Sequence, residues 1–245
     1  MVVALPPLPD AFMDCAQNIV PADAASGFMP LCQLTGSEAL DTGFADLAAK
    51  WGPGDRRAVV SLWTQGYFGR LLRPWLAYGV LHDHWFGLDI DKVRVALSEL
   101  GTPMRFGLEA ASRKEVPAQI AHFIRYHASP LIADLTERTG TSERIHWSNA
   151  SFAFHRAFRQ VALVAEEVGG DETVTARAET VREVMESEHP LFRLTELQED
   201  DGGESRLVRR VCCIRFKLDG LKKCGTACPM RADDTQLKTR KLLVG

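Results

Sequence analysis

The 245-residue chain is 46% apolar and carries a formal net charge of −3, from 29 Lys and Arg against 32 Asp and Glu. That apolar content supplies a core for one large domain, or for one domain with a small appendage, and excludes a disordered chain. A near-neutral balance excludes a bulk electrostatic preference for nucleic acid or an anionic membrane surface.

The opening stretch, MVVALPPLPDAFMD, has neither the basic n-region nor the long apolar h-region of a secretory signal. No run reaches the length needed to span a bilayer. A cytoplasmic protein with at most peripheral membrane contact is expected, and in a reducing compartment its cysteines should not form disulfides. Residues 1–35, with Pro6, Pro7, Pro9, Pro21 and Pro30, read as an irregular lead-in with one short helix, in which Cys15 and Cys32 are buried thiols.

Ser37 caps a helix through Trp51 that places Leu40, Phe44, Leu47 and Ala48 on one face, and Gly52-Pro53-Gly54 ends it. Asp55 to about Leu81 is a longer helix with Val60, Trp63, Tyr67, Leu71 and Trp75 in one stripe, kinked or broken at Pro74. Val93–Leu97 and Met104–Leu108 flank a turn containing Gly101 and form the one clear hairpin signal. Pro117 and Pro130 each open a further helix, the second ending at Gly140.

Thr141-Ser142-Glu143 begins a helix through Trp147, Ala150, Phe154, Phe158, Val161 and Ala165 to Gly169-Gly170. Asp171 caps another that runs to about Ser187. Between Glu196 and Ser205 the chain turns acidic and glycine-rich, which reads as a linker. The expected organisation is therefore a helical body over 1–197, a linker over 198–205, and a cysteine segment with a basic tail over 206–245. The fold class is mainly α, an α+β chain with one small hairpin.

No Gly-x-Gly-x-x-Gly or phosphate loop is present, so the chain offers no dinucleotide site of its own. His82, His84, His122 and His127 have no carboxylate or cysteine at ligand spacing and read as surface or hydrogen-bonded core histidines.

Chemistry concentrates instead in Arg206–Met230, RLVRRVCCIRFKLDGLKKCGTACPM. Cys212 and Cys213 are adjacent, ten residues follow, and Cys224 and Cys228 close the segment. Four soft thiolates that converge suit zinc or an iron–sulfur cluster, and structural or free cysteines are the third reading. A structural zinc site usually draws each ligand pair from a tight Cys-x2-Cys turn, which neither half provides. Arg206, Arg209, Arg210, Arg215, Lys217, Lys222 and Lys223 surround the cysteines with Asp219 as the nearby acid. Cationic neighbours of that kind stabilise an anionic cluster. A solvated or nucleic-acid-binding basic loop is the alternative.

These residues resemble the C-terminal cluster motif of the ferric-siderophore reductase family, where vicinal cysteines are followed ten residues later by a closing pair. That pair is ordinarily Cys-x-x-Cys, and here it is one residue longer. Trp147-x-Asn149 and the pattern Leu62, Trp63, Tyr67, Phe68, Leu71 and Pro74 extend the resemblance into the body. The resemblance implies a [2Fe–2S] cluster on Cys212, Cys213, Cys224 and Cys228. It also implies one-electron reduction of a ferric siderophore, and an external donor such as a ferredoxin or a flavin or NAD(P)H reductase. Trp63, Tyr67, Trp147 and Asn149 are candidates to line a docking surface, and Arg209, Arg210, Arg215, Lys217, Lys222 and Lys223 to attract the chelate. The competing expectation is a zinc-bearing module that grips nucleic acid or a protein without redox chemistry. A body that makes or stores a siderophore is a third, and the missing nucleotide motif argues against synthesis.

Overall fold

The computed structural model describes residues 5–112, 115–167, 171–199, 203–230 and 238–239. In chain order the elements are α1 (Met13–Ala16), β1 (Ile19–Pro21), β2 (Met29–Pro30), α2 (Leu31–Thr35), α3 (Glu38–Trp51) and α4 (Arg56–His82). Then come β3 (Arg94–Leu97), β4 (Pro103–Leu108), α5 (Val116–Phe123), a π turn over Ile124–Ala128, α6 (Ser129–Thr139), α7 (Glu143–Glu167) and α8 (Glu172–Val184). The chain closes with α9 (Pro190–Arg193), β5 (Thr195–Glu199), β6 (Ser205–Arg209) and β7 (Lys238–Thr239). The architecture is mainly α with a few short strands, as the sequence implied.

The two longest helices, α4 and α7, pack along each other and carry the core. Trp63, Tyr67, Phe68, Leu71 and Trp75 of α4 are fully buried, with Ala150, Phe154 and Val161 of α7. Trp63 stacks on Tyr67 with ring centroids 5.2 Å apart, and Tyr67 meets Phe68 and Phe106 edge-on. Both arrangements suit the quadrupoles of the rings.

Pro74 neither breaks nor ends α4. A proline inside a helix orphans the carbonyl four residues earlier. Here that carbonyl, of Arg70, accepts from Asn18 Nδ2 at 3.4 Å. Pro130 repeats the device: the carbonyl of Tyr126 accepts from the Ile90 N–H at 3.0 Å, and the helical run passes from α5 through the π turn into α6 without a gap. The two separate helices expected there are one continuous run. Both rescues come from residues distant in sequence, so no local pattern announces them.

The irregular lead-in is corrected too. It contributes β1 and β2 to a four-stranded sheet ordered β1-β4-β3-β2, with β1 parallel to β4. Strands of two or three residues are too short to show alternation. Cys15 is buried as expected, but Cys32 is exposed. Ser37 precedes α3, yet its hydroxyl donates back to the Leu34 carbonyl at 2.8 Å instead of capping the helix. Asp55 and Asp171 do cap α4 and α8, accepting from the N–H of Arg57 and Thr173. The expected helix stop at Gly169-Gly170 lies outside the described residues.

The stretch expected to be a linker holds strands. Glu196–Glu199 belongs to β5, which pairs antiparallel with β6 from Thr195↔Arg209 to Glu199↔Ser205. Thr-Glu-Leu-Gln-Glu is acidic in composition and also alternates with the period of a strand. The segment beyond β6 docks on the helical body: Leu218 is fully buried in the main core, and the Gly220 N–H donates to the Trp51 carbonyl at 2.7 Å. Gly52-Pro53-Gly54 does more than end α3, because a Cβ on Gly54 would lie 2.2 Å from the Lys217 carbonyl oxygen. Lys217 Nζ also reaches Asp55 at 3.1 Å.

Candidate functional site

Small polar side chains on α4 and α7 hold the cysteine segment in place. Ser61 Oγ donates to the Cys213 carbonyl at 2.7 Å, and Ser148 Oγ donates to the Val211 carbonyl at 3.0 Å. Asn149 sits between them: its Nδ2 donates to the Ser61 carbonyl at 3.0 Å and to Thr64 Oγ1 at 2.8 Å. Its Oδ1 accepts from Arg209 Nη1 at 3.0 Å, and the same Nη1 donates to the Ser148 carbonyl at 2.8 Å.

Arg209 is 4% exposed and lies over the Phe152 ring, 4.3 Å from its centroid. Burial lowers its pKa, and negative charge on Cys213, Cys224 and Cys212 opposes that. A buried guanidinium is costly unless paired. Among the cysteines beside it, Cys213 is the thiol whose ionised form it favours most directly.

Cys213 and Cys228 are buried, and Cys212 and Cys224 are partly exposed. Two turns position them: Ile214, at φ +50, starts the 3-10 turn Arg215–Lys217, and Gly225, at φ +65, starts Gly225–Ala227. Gly225 needs no Cβ in that left-handed conformation. Cys212 Sγ accepts from the Ile214 N–H at 3.3 Å.

The Cys213 thiol is lowered, first by a hydrogen bond from Cys224 and further by the Arg209 and Arg215 guanidinium groups, against the effect of burial. The same bond, together with burial, pushes Cys224 up. Cys212 is raised, chiefly by burial. Charge on Cys228 acts on both Cys212 and Cys224, so the four thiols are electrostatic neighbours. Among the described residues no three ligating side chains stand close enough to grip one ion without adjustment. The donor set is nevertheless all-thiolate, with one thiol already inclined to ionise and a buried cation beside it. That chemistry fits an anionic, thiolate-ligated cluster.

The other sequence candidates separate into groups. Arg215 joins Arg209 at the cysteines, its Nε donating to the Lys222 carbonyl at 3.0 Å. Arg210 pairs with Glu196 at 2.8 Å and Lys217 with Asp55, so neither charge stands unopposed as expected. Lys222 is exposed, and Lys223 Nζ donates to the Met230 carbonyl at 2.7 Å. Trp63 and Tyr67 line no surface: Trp63 Nε1 donates to the Gly101 carbonyl at 2.9 Å, and the Tyr67 hydroxyl meets His127 Nε2 at 2.8 Å. Trp147 is buried against His189, with its Nε1 on Glu143 at 2.9 Å. Asn149 is buried as a strut rather than a surface amide, and it also forms part of the lining of the cavity beside Cys224.

Beside Cys224 lies a cavity of about 590 Å3 lined in part by Asn149, Arg209 and Arg215, three of the residues the sequence offered for chelate binding. Its walls come from α4, α7 and the cysteine segment, and include Gly66, Gly69, Arg70, Arg156, Arg209 and Arg215. Asp and Glu are absent from the lining. Gly66, Gly69 and Arg70, three and four residues apart or adjacent on one helix face, were the available signal, since two glycines inside an α-helix cost stability without an evident reason.

A family model described as "Ferric iron reductase FhuF-like transporter" matches residues 61–202, which is more than half of the chain and ends before Cys212. The chain is also similar to a protein of Escherichia coli (strain K12) named "Ferric siderophore reductase", 21% identical over 184 residues. That alignment covers 70% of this chain and 65% of the relative, so the match spans less than two thirds of the relative's length. Among the described residues no helix is long and apolar enough to cross a membrane.

Proposed function

This chain belongs to the FhuF-like ferric iron reductase family, and from that membership we propose that it is a siderophore-iron reductase whose cysteines hold a [2Fe–2S] cluster. The observation that supports the reading is the buried cation Arg209 lying within electrostatic reach of Cys213, Cys224 and Cys212, with Cys228 acting in turn on Cys212 and Cys224. A cluster bound there supplies single electrons. The substrate is a ferric chelate: adding one electron gives Fe(II), a larger and less charged ion that hard oxygen ligands hold far more weakly. The electron comes from an external donor, a ferredoxin or a flavin or NAD(P)H reductase, because the sequence carries no dinucleotide fingerprint.

The protein's own contribution is placement and charge. Ser61 and Ser148 fix the backbone of the cysteine segment, and Asn149 holds the Arg209 side chain beside it. Arg209 and Arg215 favour the ionised thiols and any further negative charge that accumulates there. No proton transfer is obligatory, so no general acid or base is required. Release of iron into the cytoplasm belongs to the same reading. A zinc-bearing binding module is the less favoured reading, since the family description is that of a reductase.

Mixing dithionite-reduced protein with a ferric siderophore and a ferrous trap tests the function. Faster appearance of Fe(II) than with protein-free controls supports the reductase, and an equal rate removes it.

A further inference from the structure

We propose that the arginine-walled cavity beside Cys224 is the chelate-docking site and that it selects ferric chelates carrying net negative charge, such as catecholate or carboxylate complexes, over neutral ones. This rests on the reductase reading for the identity of the ligand, but the recognition is built from the cavity alone.

Its cations are not equally available. Arg209 and Arg215 are committed to the cysteines, and Arg73 is held by Asp14 at 2.5 Å and by Gln160 at 2.7 Å. Arg70 is different. It is half-buried, burial lowers its pKa, and among the described residues its guanidinium makes no hydrogen bond or ion pair. A guanidinium has five N–H donors in a planar fork, and one with no protein partner at a cavity wall offers that fork to an anion. A second orphan points the same way: Arg209 Nε is buried without a partner in the same cavity wall. Arg156 stands exposed at the same cavity.

The cavity floor is kept open by two glycines on α4. A Cβ on Gly66 would come 2.9 Å from Arg70 Nη1, and one on Gly69 would meet nothing within 4 Å. Glycine in a helix interior is unfavourable relative to alanine, and here the missing side chains leave Arg70 facing space. About 590 Å3 lies within the range of small-molecule sites. The anions that match it are multi-oxygen chelates whose carboxylate or catecholate oxygens can accept bidentate contacts from arginine forks.

The test uses redox-inert gallium(III) chelates on the purified, metal-loaded protein, so binding is read without electron transfer. Calorimetric titration with a trianionic tris-catecholate and a neutral tris-hydroxamate should give about tenfold or more tighter binding of the anionic complex, a gap that narrows with added salt. Arg70→Gln should weaken the anionic chelate by about tenfold and leave the neutral one unchanged. Gly69→Leu, whose Cβ meets no protein atom, should keep the absorption spectrum and melting temperature and lose binding. Equal affinities for the two chelates, or an Arg70→Gln protein with wild-type affinity, would overturn the proposal. If gallium chelates bind with this selectivity but no ferric chelate is reduced, the docking site stands and the reductase reading falls. If ferric chelates of either charge are reduced alike and Arg70→Gln changes nothing, the reductase stands and the docking site falls.

Discussion

Asn149 Oδ1 accepts from Arg209 Nη1 at 3.0 Å while its amide nitrogen donates to Ser61 and Thr64, so one side chain on α7 ties α4 to the cation beside the cysteines. Removing it leaves a buried guanidinium short of an acceptor, at a cost of about 2–3 kcal/mol. Asn149→Ala and Arg209→Ala should therefore be strongly non-additive in chemical denaturation, with a coupling of about 1–2 kcal/mol. Simple additivity would mean that the pair does not act as a unit.

The aromatic residues that the sequence offered as docking groups should behave as core. Trp63→Ala is expected to destabilise the fold by about 3–5 kcal/mol, the usual loss for truncating a buried aromatic. Trp147→Ala should lower the melting temperature while leaving the affinity for a ferric or gallium chelate within about twofold. A large selective loss of chelate affinity in Trp147→Ala would restore it to the binding site.

The helical body was largely legible because long amphipathic stripes dominate it, and the clustering of four cysteines in one basic segment stood out by spacing. What the sequence concealed was relational. Trp63 and Tyr67 look identical in a pattern whether they face a ligand or Phe106. Glu196–Glu199 carries both linker composition and strand periodicity, and only the partner strand Ser205–Arg209 decides between them. Pro74 reads as a break because nothing local shows Asn18 waiting for the Arg70 carbonyl. The cavity was hidden for the same reason: Gly66, Gly69 and Arg70 of one helix acquire a meaning only when Arg156 and Arg209 arrive opposite them.

Stability should fall with acid over a defined window. His127, His146 and His155 are buried in their neutral forms, and burial depresses them from 6.5 to about 3, about 4 and about 4. Between about pH 6.5 and those values the unfolded chain binds protons that the folded chain does not. Protonation therefore favours unfolding, and stability is present above 6.5 and lost as pH falls. Each histidine contributes a slope of up to about 1.4 kcal/mol per pH unit. Melting temperatures measured from pH 7.5 to 4.5 should decline steeply, and His155→Gln should flatten the curve. A pH-independent stability across that range would contradict the burial of these rings.

Gly101 is the tightest backbone contact between the hairpin turn and α3. It adopts φ +63, and a Cβ there would lie 2.1 Å from the Gly43 Cα. Gly101→Ala should cost more than the roughly 1 kcal/mol of the backbone term alone, because the turn that accepts from Trp63 Nε1 must also move. Urea unfolding of the variant checks this, and a neutral substitution would show that the turn is loosely held.

The central claim is that Cys212, Cys213, Cys224 and Cys228 hold a redox-active cluster. Metal and acid-labile sulfide analysis of the anaerobically purified protein, with its visible absorption spectrum, tests it most directly. The account predicts a red-brown protein with about two irons and about two sulfides per chain, bleached by dithionite and lost on substituting any one of the four cysteines by serine. A colourless protein with one zinc per chain, or a Cys228→Ser variant with an unaltered spectrum, would contradict it.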